Sequence, residues 1–246
     1  MKNATGARAL IIDVGLDKGD EFFLAIANGF EVVGFEANPK SFVYLANKCS
    51  EIAKCHVVDL STVSLPLQRE EGHSYLVNAG AAEKAGVLKF SLSGAGSTLV
   101  TSNPSSAKTE IVDVKVLRVD SVVQDDVYLF KVDTQGYDQF VIEGASKIFQ
   151  NHVVRQVIVE VEPLNLKYNN HTASSLLGVL QSYGLVCFQV RTDQATECGY
   201  FGESIDGFEK IFDGTPAENG LWARCWDDFV CVNIQKAYPG KEVSLL

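Results

Sequence analysis

Lys131-Val132-Asp133-Thr134-Gln135-Gly136-Tyr137-Asp138 places an acid two residues after a lysine, just past the apolar run Val127-Tyr128-Leu129-Phe130. Phe140 to Ala145 then reads as a helix, so a buried strand is expected to end in a charged, glycine-containing turn. Ligands of open α/β sheets bind at the carboxyl ends of strands. Asp133 is therefore a candidate for acid–base chemistry, and as a residue preceding a helix it is equally a candidate cap. Glu160, near the end of the later run Val157 to Glu162, and His171, in the loop beyond it, are further catalytic candidates. The alternatives are an ion pair of Glu160 with Lys131 or Arg155, and a solvated loop position for His171.

A second turn carries the same logic. Asp13-Val14-Gly15-Leu16-Asp17-Lys18-Gly19-Asp20 follows the apolar run Ala9 to Ile12, with a glycine at each bend. Glycine there lets backbone approach a ligand closely, and the start of the next helix offers free N–H groups. Glu36 ends the following strand roughly twenty residues on, where an acid can accept both ribose hydroxyls of a nucleoside. A dinucleotide site would read Gly-x-Gly-x-x-Gly; here the spacing is Gly15-x-x-x-Gly19, flanked by Asp13 and containing Asp17. Those negative charges oppose a pyrophosphate and suit a cation. S-adenosylmethionine, with an ammonium and a sulfonium, is favoured over NAD.

The elements that must position these groups read as β-α-β-α from the start: Ala9 to Gly15, a helix capped by Asp20 and stopped at Asn28-Gly29, Glu31 to Glu36, and a helix begun by Asn38-Pro39. That order implies a parallel sheet with right-handed crossovers. Ser74 to Asn78 is a better third strand than His56 to Val58, which leaves the region Cys49 to Gly72 as an insertion. Val87 to Leu92 and Ile111 to Val116 alternate like strands with one exposed face, separated by a mobile loop from Ser93 to Lys108. Ser174 to Tyr183 is an amphipathic helix ended by Gly184, and Val186 to Val190 with Phe229 to Ile234 forms a closing antiparallel pair. The expected fold is α/β, Rossmann-like: a seven-stranded, mostly parallel sheet with helices on both faces and the last strand antiparallel. A single domain over 1–246 is expected, its cofactor half about 9–100 and its acceptor side about 110–246.

Composition narrows the partners. The chain has 246 residues, 46% of them hydrophobic and 21% charged, so it can bury a substantial core. A formal net charge of −10 without a basic cluster argues against nucleic acid as a partner. No run is long enough to span a bilayer, and no signal-peptide pattern opens the chain. The six cysteines lack Cys-x-x-Cys or metal-finger spacing, so free thiols in a reducing, cytoplasmic setting and no metal site are expected. Asn3-Ala4-Thr5 and Asn170-His171-Thr172 match the glycosylation pattern at a near-chance frequency. The tail aromatics Tyr200, Phe201, Phe208, Phe212, Trp222 and Trp226 are expected to pack over the sheet or to cover the acceptor site.

Taken in order, these motifs resemble the FkbM family of S-adenosylmethionine-dependent methyltransferases. Asp13 to Gly19 is similar to that family's Asp-Val-Gly-Ala-Asn-x-Gly, and Phe35-Glu36-Ala37-Asn38-Pro39 to its Phe-Glu-Pro-Asn-Pro. Asn78 to Gly86 approximates Asn-x-Ala-Leu-x-Asp-x-x-Gly. A Ser-rich loop follows at Gly94 to Thr98, and Val116 to Asp120 is similar to a Val-x-x-Leu-Asp element. Phe130 to Asp138 is similar to Leu-Lys-Ile-Asp-x-Glu-Gly-x-Glu. The resemblance runs from about Leu10 to Pro163. It implies that Asp13, Gly15, Leu16, Asp17 and Gly19 hold the methionine part of S-adenosylmethionine. It further implies that Glu36 and Ala37 meet the ribose, that Asn78 to Ala81 border the adenine, and that Asp133 lies near the sulfonium or acceptor. It also implies O-methylation of a sugar or natural-product-like small molecule. Asp17 stands where that family has Asn, Lys18 and Asp20 where its residues are usually apolar or aromatic, and Gln135 where it has Glu. Gln135 and Lys18 motivate the alternative of a methyltransferase-like binding protein without catalysis; an NAD(P)-dependent oxidoreductase is disfavoured by the glycine spacing. Oligomeric state is not legible.

Overall fold

β1 (Leu10–Val14) and β2 (Glu31–Phe35) are buried at every position, the mark of strands covered on both faces. Successive side chains point to opposite faces: Leu10, Ile12 and Val14 join one core cluster, and Ile11 joins the other with Val32. The computed structural model describes residues 8–92, 98–100, 110–190 and 226–234. Of the loop expected from Ser93 to Lys108, Thr98–Val100 instead form a strand and the rest lies outside the described residues, as do the Asn3 sequence, Cys198, Cys225 and all the tail aromatics except Trp226.

α1 (Asp20–Ala27) connects β1 to β2, and α2 (Pro39–Ser50) leads to β3 (Cys55–Val58) and β4 (Ser74–Val77). β5 (Gly80–Ala81), β6 (Gly86–Leu92), β7 (Thr98–Val100) and β8 (Glu110–Leu117) follow, then α3 (Val119–Val122) and β9 (Val127–Val132). α4 (Asp138–Gly144) and α5 (Ser146–Asn151) precede β10 (Val154–Val161). α6 (Pro163–Tyr168), α7 (Ala173–Ser182), β11 (Val186–Gln189) and β12 (Asp227–Val232) complete the order. The main sheet runs β11-β12-β10-β9-β1-β2-β4-β3, and β12 is antiparallel to both its neighbours. β5-β8-β6-β7 form a separate sheet beside the carboxyl ends of β2 and β4. The fold is therefore Rossmann-like, with eight strands rather than seven. β4 takes the place next to β2 as expected, and β3 adds outside it in parallel, with its two central residues exposed as an edge allows.

Gly34, in the middle of β2, has a packing reason. A Cβ there would stand 2.7 Å from Phe22 and 2.9 Å from Leu16, so its absence admits the fully buried Phe22 ring from α1. Asp20 does not cap α1; the cap position is Gly19, with φ 74° and no side-chain hydrogen bond, and Asp20 and Glu21 instead place negative charge in the first turn. Asn38 does cap α2, accepting from the Lys40 N–H at 3.0 Å, with Pro39 at the first helical position. α7 begins one residue before the expected start, on a reciprocal box in which Thr172 accepts from Ser175 N–H and Ser175 from Thr172 N–H. Thr172→Ala is expected to lower unfolding free energy by about 1 kcal/mol in urea titration; an unchanged midpoint would show that the box contributes nothing.

The expectation of free thiols is corrected. Cys49 is bonded to Cys55, joining the end of α2 to the start of β3, and Cys187 to Cys231, joining register partners on β11 and β12. Sequence spacing alone conceals both pairs, because each is brought together by the fold. The argument for a reducing compartment loses its basis with them. No helix among the described residues is long and apolar enough to cross a membrane.

Candidate active site

Parallel register places the ends of β1 and β9 side by side, Asp13 opposite Lys131 and Val14 opposite Val132. Beyond them the chain turns at Gly15 (φ 87°), Asp17 (φ 47°) and Gly19 (φ 74°). Asp133 N–H donates to Val14 carbonyl at 3.0 Å, and Gly15 N–H to Phe35 carbonyl at 3.1 Å, so the three strand ends are laced together. A Cβ on Gly15 would lie 1.8 Å from the Asp133 carbonyl oxygen; only glycine lets the two turns approach this closely.

Glu36 organises the first turn. Its Oε2 accepts from Leu16 N–H (3.1 Å) and Asp17 N–H (3.0 Å), and its Oε1 accepts from Asn38 N–H at 2.6 Å. Burial pushes this carboxyl up to about 7, against the three N–H donors that favour its charge. Asp13 is buried with Lys131 Nζ 3.6 Å from its Oδ1, an oxygen without a hydrogen-bond partner. Burial again outweighs the lysine and pushes Asp13 up to about 6. Lys131 stands 3.6 Å from Asp133 as well; burial works against its charge, but the two aspartates hold its pKa above the ordinary lysine value.

The second turn is built by a different acid from the one the sequence suggested. Asp133 does not cap α4, whose cap position is Tyr137 without a side-chain bond. Asp138 takes that local work: Oδ1 accepts from Thr134 N–H and Oγ1, and Oδ2 from Gly136 N–H, all at 2.9 Å. Its burial pushes its carboxyl up to about 6. Asp133 is thereby left with a side chain 38% exposed, at the rim of the cleft. Glu160 pairs with neither Lys131 nor Arg155 as an ion pair. It accepts from Gln135 Nε2 at 2.6 Å, and the same nitrogen is 3.3 Å from Asp133 Oδ1. Burial, then Asp133, Asp138 and Glu162, push Glu160 up to about 10, and a side-chain hydrogen bond with Asp133 adds to the rise. The Glu160–Asp133 pair therefore holds a proton at neutral pH, with Glu160 its more basic member.

Asp13, Glu36 and Asp138 have folded pKa values above their unfolded ones. The folded state therefore retains protons that the unfolded chain releases, and the stability they contribute is lost as pH rises through about 4 to 7. The ligand-free protein is expected to show a higher urea midpoint at pH 5.5 than at pH 7.5; a midpoint that rises over this interval would contradict the burial of these acids.

Of the residues singled out in the sequence, Gly15, Asp17, Glu36, Ala37, Ala81 and Asp133 line one cavity of about 160 Å³. Asn78 instead borders a neighbouring cavity of about 470 Å³, and Ala37 lines both. The second alone falls within the size usual for ligand sites, roughly 300–1,000 Å³, and the first, where the strand ends converge, is smaller. Leu16 contributes its N–H to Glu36 while its side chain packs into the core beside Phe22. A Cβ on Gly19 would meet Leu45 at 2.4 Å, so that glycine serves close packing as well as the turn. His171 is not brought to the cleft: its ring lies 4.4 Å from that of Phe140, and burial lowers its pKa. Asn38, Ser41, Phe90, Leu99 and Gln135 line the cavity and were missed as binding candidates. The buried Phe90 and Leu99 come from the separate sheet, and no local pattern says which side of the first sheet that sheet faces. Asp228 was missed too. It stands opposite Glu160 in register, and burial with Asp133 nearby raises its carboxyl; an acid pair directly before the last apolar run was its signal. No group of three or more His, Cys, Asp or Glu able to hold a metal occurs among the described residues.

A parallel sheet closed by an antiparallel strand, with a glycine turn after its first strand and an acid ending its second, defines a Rossmann-like methyltransferase fold. The family model of the methyltransferase FkbM domain matches residues 13–187, and the chain belongs to that family. A search of curated proteins finds no match. Among solved structures, the chain is similar to a methyltransferase FkbM from Methylobacillus flagellatus KT, with 11% identity and TM-score 0.48. That match covers 92% of this chain and 43% of the other, so the chain spans less than half that protein's length. It is also similar to an rRNA methylase from Streptococcus thermophilus, with 8% identity, TM-score 0.42, and 92% and 87% of the two chains covered. A geranyl diphosphate methyltransferase bound to GPP and sinefungin shares 9% identity at TM-score 0.43, with 92% and 70% covered.

Proposed function

We propose that this protein binds S-adenosylmethionine in the cleft between the Gly15–Gly19 turn and Asp133, and transfers its methyl group to a hydroxyl oxygen of a small-molecule or glycan acceptor. The observation that carries the reading is the convergence of Gly15, Glu36 and Asp133 on one cavity. The donor set fits the cofactor. Asp13 lines neither cavity and its buried Oδ1 faces Lys131 at 3.6 Å, so it would act on the ammonium as a nearby negative charge rather than as a direct ligand. Gly15 lines the cavity, and its missing Cβ lets Asp133 close on the turn beside it. Glu36 accepts three N–H groups, and a carboxylate has about four acceptor positions, so room for a ribose hydroxyl remains. Ala37, between the two cavities, would meet the nucleoside, with Ala81 on one side and Asn78 on the other.

When bound, the sulfonium supplies an already activated methyl group, and the protein's part is alignment, exclusion of water and removal of a proton. Asp133 at the rim accepts the acceptor's hydroxyl proton as the oxygen forms its bond to carbon. Lys131 holds Asp133 from one side and Gln135 from the other. Glu160, holding its own proton, is poorly suited to be the base and would orient the acceptor side. The second reading, a binding protein without turnover, is favoured by one feature, the amide of Gln135 at a position where the resemblance has an acid.

Calorimetry tests the cofactor, with micromolar affinity for S-adenosylmethionine expected; absence of heat sinks the methyltransferase reading. Transfer of labelled methyl to a panel of sugars and small hydroxylated molecules separates enzyme from binder.

A further inference from the structure

Gln135 occupies an unusual place. Its backbone is left-handed, φ 54°, a conformation a non-glycine residue adopts at a cost. That conformation swings its side chain across the carboxyl ends of β9 and β10. There one amide nitrogen lies 2.6 Å from Glu160 Oε2 and 3.3 Å from Asp133 Oδ1. The amide has two N–H donors on that nitrogen and each faced oxygen is an acceptor, so the chemistry of the three groups matches.

We propose that Gln135 is the positioning residue of this site: its amide clamps Asp133 to Glu160 at a fixed separation, and so presents the Asp133 carboxylate to the acceptor. This rests on the methyl-transfer reading of the cleft. The surroundings explain why an amide stands here. Asp138 faces the clamp from its own turn, Asp13 and Lys131 from β1 and β9, Glu160 and Glu162 from β10 and the residue after it, and Asp228 from β12. Glu21, from α1, acts on Asp13, Lys131 and Asp228 as well, so an acid at position 135 would add a further negative charge to a cluster with one lysine and remove the amide donors shared by Glu160 and Asp133. The glutamine is then a device that keeps the two carboxyl groups together, rather than a lesion in an ancestral site.

Gln135→Glu in the full chain tests this without needing the acceptor. With its side chain in the clamp, the introduced carboxyl is expected to titrate above pH 6 by carboxyl NMR, against about 4.3 for an unperturbed glutamate. A midpoint near the unperturbed value would overturn the clamp, because it would place the side chain in solvent. With an acceptor from the panel, the acid limb of methyl transfer is expected to move at least one pH unit alkaline. Gln135 also lines the cofactor cavity, so the KM for S-adenosylmethionine can change with the added charge, and the displacement of the pH profile rather than KM carries the test. A raised midpoint with an unmoved pH profile would overturn the positioning role. Gln135→Asn covers the case in which the charged variant does not fold. It keeps the amide and tolerates the left-handed backbone but is one methylene too short to span both acids, so kcat should fall on the order of tenfold or more, a larger change than in the KM for S-adenosylmethionine; unchanged kcat overturns the proposal. Failure of the methyl-transfer reading would show separately, as no heat from the unaltered protein with S-adenosylmethionine.

Discussion

Gly15→Ala is expected to abolish cofactor binding. At φ 87° an alanine is strained by roughly 1–2 kcal/mol, but the collision is the larger effect. The new Cβ would stand 1.8 Å from the Asp133 carbonyl oxygen and 2.9 Å from its carbon, both backbone atoms that no rotamer change can move. Relief requires the ends of β1 and β9 to part. That breaks the Asp133 N–H bond to Val14 and shifts the Gly15–Gly19 turn away from Glu36. Gly29→Ala is the control, with φ 81° and nothing within 4 Å of the added carbon. The strain is shared and the collision is not. Urea titration should show Gly29→Ala losing about 1 kcal/mol and Gly15→Ala losing roughly two to three times as much. Calorimetry with S-adenosylmethionine should show native affinity in the first and a loss of at least about a hundredfold (roughly 2.7 kcal/mol) in the second. Equal stability losses, or native affinity in Gly15→Ala, would mean that the turn relaxes without disturbing the site.

The contrast between these glycines illustrates what was legible in the sequence. Both belong to turn signals, and both take the left-handed backbone that glycine permits. Which one closes on another chain segment depends on β9 lying beside β1, and those strands are more than a hundred residues apart. The parallel core was readable because β1 and β2 are mostly apolar, Asp13 and Glu31 apart, and their ends carry Gly15 and Glu36. The outer β3 was not, since an edge strand with His56 and Val57 exposed carries a weak apolar pattern. Disulfide pairs were hidden for the same reason. At the site, individual acids were legible and their division of labour was not. Asp138 lies five residues after Asp133, and only the turn's geometry reveals that it is Asp138 that ties the backbone amides. Likewise Glu160 meets a glutamine instead of a cation, and His171 turns toward Phe140 because α6 and α7 direct their connecting loop there.

That division of labour makes Asp133→Asn the sharper test of mechanism. Asparagine keeps the shape of the side chain and an oxygen able to accept from Gln135, so the clamp and turn survive while the proton acceptor is lost. Lys131 keeps Asp13 as its charge partner. General-base assistance contributes roughly 10²–10⁴-fold, so kcat for labelled methyl transfer should fall by that factor, with the fold unchanged by circular dichroism and S-adenosylmethionine still bound. A second consequence separates this role from mere packing. Asp133 is the second-largest cause, after burial, of the raised Glu160 pKa. Removing its charge should therefore lower the Glu160 midpoint from about 10, toward neutrality, as carboxyl NMR can follow. A fall in turnover with no movement of Glu160 would dissolve the coupling between the two acids. Retention of turnover within a few-fold would remove Asp133 as the base, leaving alignment by the Gly15 turn and Glu36 as the protein's whole contribution to transfer.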